Sequence, residues 1–156
     1  MSNANHQFLN MALAYIEIGK VSAESELKNT SEYENAIAYQ LFHSVELFYK
    51  HMLSKKGVTK NIHVIADLEV EYKKYFVEEK YQLEHPFDFS NYEPSELNQG
   101  EAYLNKAHME KFKPKLMDQH LRYPSNHNTG GYSYKFEPCY FDGMKEQMLK
   151  ISAIDC

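Results

Sequence analysis

Residues 31–57, SEYENAIAYQLFHSVELFYKHMLSKKG, decide the fold of this chain. Ser31 and Glu34 match a capping box, in which two side chains satisfy the free backbone N–H groups at a helix start. Gly57 stands where a helix end favours a residue that can adopt positive φ. Between these ends the apolar residues fall on one continuous helical face. The stretch therefore predicts a helix of about seven turns that contacts more than one neighbouring helix.

The opposite half of this predicted helix is polar and is expected to face solvent. Glu46 and Lys50 form an i,i+4 pair in the favourable order. Leu47 is the main apolar residue in this half, and it is a weak indication of a second contact surface. The predicted polar half holds Gln40, His43, Ser44, Glu46, Lys50, His51 and Ser54.

Helical spacing of apolar residues appears on both sides of the central stretch. Residues 5–22 show it before the stretch and residues 62–78 show it after, with Asn61 as a candidate N-cap. Short connections between such helices favour an up-and-down bundle. We therefore predict one all-α domain over residues 1–156, built from four to five helices.

The later part of the chain alternates between predicted loops and predicted helices. Residues 84–100 carry two prolines and several turn formers, which predict a long loop. Residues 100–121 predict a partly helical segment, whereas the prolines and glycines of 122–138 exclude a helix there. Alternating aromatic and polar residues predict a short extended segment near 132–136. The last helix is expected to begin near Asp142, a favourable N-cap.

Composition excludes several classes of protein. Apolar residues make up 43% of the 156 residues, so the chain is neither disordered nor too small for a core. The net charge is −5, so any binding of nucleic acid requires a local basic patch. Two late cysteines, Cys139 and Cys156, fit a reducing compartment. No apolar run approaches a membrane span, and no signal peptide is evident, so we predict a cytoplasmic protein without membrane contact.

Sequence motifs for metal and phosphate binding are missing. None of the eight histidines follows a glutamate by three residues, and H-E-x-x-H does not occur, so the histidines are expected to be solvated. Phosphate-binding glycine loops do not occur either. Gly130 and Gly131 precede an aromatic alternation and predict a turn. We therefore expect neither a metal nor a cofactor.

One arginine and one histidine form the most suggestive pair. Arg122, the only arginine of the sequence, lies five residues before His127. Arginine binds phosphate bidentately and histidine transfers protons near neutral pH, so the two could cleave RNA without a metal. The alternative is that Arg122 forms a structural ion pair or caps the preceding helix. Candidate binding residues beside the pair, with tyrosines that could stack on bases, are Tyr123, Asn126, Tyr132 and Tyr134.

Residues 42–53, FHSVELFYKHML, followed by Gly57, resemble the second helix of the HEPN family of small helical bundles. The matching features are a glutamate, a lysine four residues later, a leucine three residues beyond and a closing glycine. His63, Ile65 and Leu68 are similar to the H-x-L-x-x-L start of that family's third helix. The resemblance covers about a quarter of the chain.

This resemblance implies functions as well as a fold. Nuclease members carry R-x(4–6)-H near the last core helix, and the spacing of Arg122 and His127 matches that motif. Catalytic members usually place a polar residue after the arginine, at a helix, whereas Tyr123 and Pro124 follow here. The family includes metal-independent ribonucleases, often toxins neutralised by a nucleotidyltransferase-type partner. It also includes members that bind nucleotides or act as interaction modules, and many members are homodimers.

Three functions are therefore consistent with the sequence. We expect first a noncatalytic, HEPN-like module that binds a nucleotide, RNA or a protein partner, as a homodimer. The alternative is a metal-independent endoribonuclease that uses Arg122 and His127. A third possibility is a helical accessory or interaction protein outside this family. Whether the protein is an enzyme stays open at this point.

Overall fold

The computed structural model describes residues 5–25, 31–59, 61–87, 121 and 136–155. Every extended regular element within these ranges is a helix, which confirms the all-α prediction. The elements are α1 (His6–Glu24), α2 (Ser31–Lys55), α3 (Ile65–Tyr75), a short 3-10 turn (Glu79–Tyr81) and α4 (Pro138–Ser152). None of these helices combines the length and the apolar character that crossing a membrane requires.

Helix α2 is the centre of the bundle and contacts α1, α3 and α4. Its end follows the prediction closely. Gly57 adopts φ 69°, its N–H donates to the Ser54 carbonyl, and the Val58 N–H donates to the Leu53 carbonyl. This pair of bonds is a Schellman motif, which satisfies carbonyl groups that the helix itself leaves unpaired. The side chain of Ser31, the first partner of the predicted capping box, lies outside the described part.

The prediction that one half of α2 faces solvent is wrong at Ser44, Glu46 and His51, which are buried. Helix α1 packs along that half, where the Tyr15 ring lies 4.7 Å from the His43 ring and the Asn5 carbonyl accepts a bond from His51. The Ser44 hydroxyl forms a hydrogen bond within α2, by donating to the Leu41 carbonyl at 2.6 Å. Four residues of the predicted polar half are buried: Ser44, Glu46, Leu47 and His51.

The other side of α2 packs against α3 through aromatic rings. Tyr72 lies at the middle of this contact, with its ring centroid 4.6 Å from that of Tyr49 and 4.9 Å from that of Phe76. The Tyr72 hydroxyl donates to the Tyr81 carbonyl at 2.5 Å, which attaches the 3-10 turn to the core. Buried aromatic pairs of this kind contribute about 1 kcal/mol each beyond the area that they bury.

The boundaries of α3 differ from the prediction. The helix begins at Ile65 after Val64, whose side chain makes no capping bond, so the prediction that Asn61 caps this helix is wrong. The predicted inner stripe is confirmed at Ile65, Leu68 and Tyr72, which are all buried. The inner position near the helix end is Phe76, since Tyr75 is exposed.

Helix α4 begins earlier than the sequence suggested. Pro138 occupies the first turn, where the missing N–H of proline has no helical partner to lose. Asp142 is therefore not the N-cap; it lies one turn inside the helix and pairs with Lys20 of α1 at 3.0 Å. The buried face of α4 consists of Phe141, Met144, Met148 and Ile151.

Residues 82–87 run across the bundle without regular structure and connect α3 to α4. The Glu84 N–H donates to the Gln147 side chain at 2.9 Å, and Gln147 donates back to the Glu84 carbonyl at 3.1 Å. The Phe87 ring makes edge contacts with Phe42 and Phe136. The described end of the predicted 84–100 loop is thus irregular, as expected, while 88–100 and 132–135 lie outside the described residues.

Candidate functional site

The residues that the sequence singled out for catalysis and binding all lie outside the described part of the chain. The neighbouring Leu121, which directly precedes the predicted pair, is helical and buried. The residues concerned are Arg122, Tyr123, Asn126, His127, Tyr132 and Tyr134. The described residues nevertheless hold three clusters of polar side chains, which lie against different parts of α2.

The first cluster, here called the Glu69 network, consists of Tyr49, Glu69, Lys73 and His85. The Tyr49 hydroxyl donates to Glu69 Oε2 at 3.0 Å, and His85 Nε2 contacts the same oxygen at 2.5 Å. Lys73 donates to Glu69 Oε1 at 3.1 Å. The network therefore joins α2, α3 and the 82–87 segment through a single carboxylate.

The position of the proton on His85 follows from the contacts of its two ring nitrogens. The Phe87 backbone N–H lies 3.2 Å from His85 Nδ1 and donates to it, so Nδ1 is an acceptor. Nε2 therefore carries the proton and donates it to the Glu69 carboxylate. Only 8% of the His85 side chain is exposed. A histidine with both ring nitrogens engaged and so little access suits a structural role better than proton transfer to a ligand.

The acidity of Glu69 reflects this network. Burial by itself raises the pKa of the carboxyl group. The hydrogen bond from His85, the charge of that imidazole when protonated, and the bonds from Lys73 and Tyr49 outweigh burial and lower the pKa to about 2. Burial, then the negative charge of Glu69, raise the pKa of Tyr49 well above its usual range, so the phenol remains a proton donor.

The second cluster, here called the His43 group, lies where α1 meets α2 and consists of Tyr15, Tyr39, His43, Glu46 and Lys50. The His43 ring stacks on Tyr39 with centroids 5.7 Å apart and planes inclined by 10°, and it meets Tyr15 edge to face. Lys50 donates to Glu46 at 3.0 Å, and His43 Nδ1 lies 4.0 Å from the other Glu46 oxygen. The His43 side chain is 23% exposed, so this group reaches the surface.

Chemically, the His43 group combines aromatic rings with a carboxylate, an ammonium and an imidazole. Rings of tyrosine and histidine are common surfaces for nucleobases and for aromatic side chains of protein partners. Glu46 and Lys50 are almost fully buried and mutually paired, which fixes both charges beside the rings. This arrangement suits binding and specificity.

The third cluster is a pair of histidines at the start of α1. The His6 and His51 ring centroids are 5.6 Å apart with planes inclined by 49°. The Asn5 N–H donates to the Ser54 hydroxyl at 2.9 Å, and the Asn5 carbonyl lies 3.2 Å from His51 Nδ1. Within the described residues, no three histidine, cysteine, aspartate or glutamate side chains converge in a way that would hold a metal ion.

Sequence reasoning found only part of these clusters. The spacing of Glu46 and Lys50 identified their ion pair, because helical neighbours four residues apart meet on one face. The contact of Glu69 with His85 joins residues that no local periodicity relates. Likewise, the burial of His51 depends on where α1 docks, so the expectation of a solvated histidine is wrong at this position.

Comparison with known proteins adds no match: no protein-family model, no curated protein and no solved structure matches this chain.

Proposed function

We propose that this protein is a HEPN-like helical module that binds a nucleotide, RNA or a protein partner and performs no catalysis. The observation that carries this proposal is the His43 group, which presents aromatic and charged side chains at the partly exposed junction of α1 and α2. The group lies largely on the stretch 42–53 that resembles the HEPN family. We further propose that the protein acts in the cytoplasm and as a homodimer, in keeping with that resemblance.

Two features favour binding over catalysis. His85, which has a carboxylate partner suited to orienting a catalytic base, is buried with both ring nitrogens engaged. His43 is more accessible, but its Nδ1 lies 4.0 Å from Glu46, which is beyond the usual reach of a hydrogen bond. Among described side chains, the accessible chemistry is therefore that of recognition.

The proposal is tested by titrating labelled short RNAs and mononucleotides against the protein and against Tyr39→Ala. Loss of one stacking ring commonly costs 1–3 kcal/mol, so we expect Tyr39→Ala to weaken binding by about tenfold or more. Tyr33→Ala is the matched control, because Tyr33 lies on the same helix and is exposed. Equal affinities of wild type and Tyr39→Ala would remove the His43 group from the proposal.

If no RNA or nucleotide binds, the protein-partner form of the proposal remains. A nucleotidyltransferase-type protein is the partner that the family resemblance suggests. Co-expression with such a protein, followed by co-purification of wild type and of Tyr39→Ala, tests this form. Retention of the partner by wild type and its loss by Tyr39→Ala would support it, whereas equal retention would place the interface elsewhere.

A metal-independent endoribonuclease is the second candidate. The spacing of Arg122 and His127 favours it. RNA cleavage in EDTA by wild type, lost in both Arg122→Ala and His127→Ala at unchanged helical content, would establish this activity. Absence of cleavage, or equal cleavage by all three proteins, would exclude these residues as the catalytic pair.

A further inference from the structure

Helix α1 carries apolar side chains on two sides. One side packs against α2 and α4 and is buried. On the other side, Met11 is 49%, Ile18 56% and Val21 66% exposed. A surface helix normally has polar residues opposite its buried face, whereas a helix that is apolar on more than one side has neighbours on more than one side. The described bundle leaves this second apolar face of α1 uncovered.

The exposed residues of this face form a continuous stripe, here called the α1 stripe. Its members are Gln7, Met11, Ala14, Ile18 and Val21, which are all exposed and uncharged. They are alternately four and three residues apart, so they lie on successive turns of one face. The same alternation places the contact residues of two helices that interdigitate along a shared seam. The α1 stripe therefore has the spacing of a seam for another helix.

Val70 on α3 shows how an isolated exposed apolar residue differs from this stripe. It is 58% exposed, almost as much as Ile18. Its neighbours one turn away on the same face include Asp67, Lys73 and Lys74, which are all charged. Single apolar residues of this kind are ordinary on a protein surface, whereas a contiguous apolar patch marks a contact surface.

We propose that two copies of this chain associate through their α1 stripes, with the two α1 helices parallel. This inference specifies the surface of the homodimer put forward above, and it rests on that part of the proposed function. A two-fold axis along the helices sets each stripe residue of one copy against the same residue of the other. Tyr15 borders the stripe and belongs to the His43 group, so the second copy lies beside the proposed binding surface.

The residues along the two edges of the stripe favour a second copy in this direction. Glu17 and Glu24 lie along one edge, and Tyr15 and Ser22 lie along the other. In a parallel pair, the acidic edge of one copy meets the uncharged edge of the other, because these two edge positions are neighbours across the seam. An antiparallel pair instead sets the two Glu17 side chains against each other. Glu17 is already paired with Lys145 of its own chain at 2.5 Å, so its charge does not oppose docking of an uncharged edge.

The size of the stripe indicates a weak, reversible dimer. The stripe extends roughly 21 Å along α1, and a contact between two helices is about 10 Å wide. Such a contact buries on the order of several hundred Å² in total, which is below the standard size of stable interfaces and in the range of transient ones. We therefore expect a dissociation constant on the order of 10 to 100 μM.

The test is sedimentation velocity of the full chain at concentrations from about 5 to 500 μM, which bracket the expected dissociation constant. Wild type should pass from monomer to dimer over this range. Ile18→Lys should dimerise at least about tenfold more weakly, because the symmetry places a lysine at the centre of the seam in both copies. Val70→Lys is the matched control: it introduces the same charge at an equally exposed position on α3 and should dimerise as wild type does.

The direction of the pairing is tested by cross-linking Val21→Cys in a chain whose two cysteines are replaced by serine. In the parallel pair, the two introduced thiols face each other, so mild oxidation should produce a disulfide-linked dimer. Val70→Cys in the same background is the control and should remain monomeric. Equal cross-linking of the two variants would overturn the parallel arrangement.

The possible failures are distinct from one another. Dimerisation of Ile18→Lys as strong as that of wild type would overturn the α1 stripe as the interface and leave the homodimer standing. Wild type that stays monomeric throughout would overturn both. If Ile18→Lys then also unfolded at a lower temperature, the stripe would be covered within a single chain. Tyr39→Ala should dimerise as wild type does, so loss of ligand binding in that variant is separate from the oligomeric state.

Discussion

The two sides of α2 carry clusters built from the same residue types, and the clusters serve different roles. On the α3 side, a tyrosine, a glutamate, a lysine and a histidine form the Glu69 network, in which His85 is 8% and Glu69 16% exposed. On the α1 side, the same four residue types form the His43 group, in which the histidine is 23% exposed. The chemistry is shared, but the histidine is more exposed in the His43 group, whereas Glu46 and Lys50, at 11% and 13%, are less exposed than Glu69 and Lys73, at 16% and 54%.

This difference distinguishes a cluster that stabilises the bundle from one that is available for binding. The Glu69 network joins three segments, because the Tyr49 hydroxyl, Lys73 and His85 Nε2 all contact the same carboxylate. Within the described residues the His43 group joins α1 and α2, and the His43 ring meets solvent, so water can replace a partner that the histidine loses. We therefore expect the loss of Glu69 or His85 to affect stability strongly, and the loss of the His43 ring to affect it weakly.

The largest effect is expected from Glu69→Ala. Its removal leaves the Tyr49 hydroxyl and the His85 N–H without their acceptor in a largely buried place. Each unsatisfied buried donor costs about 1–3 kcal/mol, so the free energy of unfolding should fall by about 3 kcal/mol. Urea unfolding followed by circular dichroism measures this change.

Asp67→Ala is the control for that substitution. Asp67 lies in the first turn of the same helix but is exposed, so its loss should change stability far less. If Glu69→Ala proved as mild as Asp67→Ala, the Glu69 network would not be a stabilising element.

The second largest effect is expected to be a dependence of the free energy of unfolding on pH that is specific to Glu69. Its pKa is lowered from 4.5 to about 2 in the folded protein, so the folded state favours the ionised form. The stabilisation is complete above about pH 4.5 and is lost as the pH falls towards 2, amounting to about 2 kcal/mol after solvent screening. The difference in unfolding free energy between wild type and Glu69→Gln should therefore shrink across this window. A constant difference would contradict the assignment.

The sequence predicted those features that depend on near neighbours. The Schellman end at Gly57, the inner stripe of α3 and the Glu46–Lys50 pair each rest on residues within a few positions of one another. Helical geometry alone relates such residues, so their arrangement follows from spacing.

Features that depend on docking were not predictable in this way. Polar residues on α2 predicted a face exposed to solvent, but α1 covers Ser44 and His51. Their burial is possible because the Ser44 hydroxyl bonds within its own helix and His51 bonds to Asn5. Asp142 resembled an N-cap, but its partner is Lys20 on another helix. Tertiary contacts of this kind override the local preference for a given secondary structure or cap. The Glu69 network depends on such contacts, so sequence analysis did not predict it.

Two glycines, Gly19 in α1 and Gly143 in α4, differ in how closely neighbouring residues pack against them. A Cβ atom added at Gly19 would overlap the buried Phe141 ring, lying 2.9 Å from its Cδ1. Gly19→Ala should therefore lower stability by about 1–2 kcal/mol, since overpacking exceeds the gain in helix propensity. A Cβ atom at Gly143 would meet nothing within 4 Å, so Gly143→Ala should raise stability by up to about 1 kcal/mol. Thermal unfolding of both variants tests the opposite signs, and a shared sign would refute the close contact.

The smallest effect on stability is expected from His43→Ala, set beside His85→Ala. Among the described residues, removal of the His43 ring loses one stacked and one edge contact with tyrosines at a partly exposed place, which together contribute about 1 kcal/mol. Removal of His85 also deprives Glu69 of a donor and frees the Phe87 N–H, so its cost should be larger by at least about 1 kcal/mol. Urea unfolding of the two variants at pH 7 measures the difference directly. Equal costs would mean that the His43 group is as much a part of the structural core as the Glu69 network, and the proposed binding surface would then have to be sought elsewhere on the molecule.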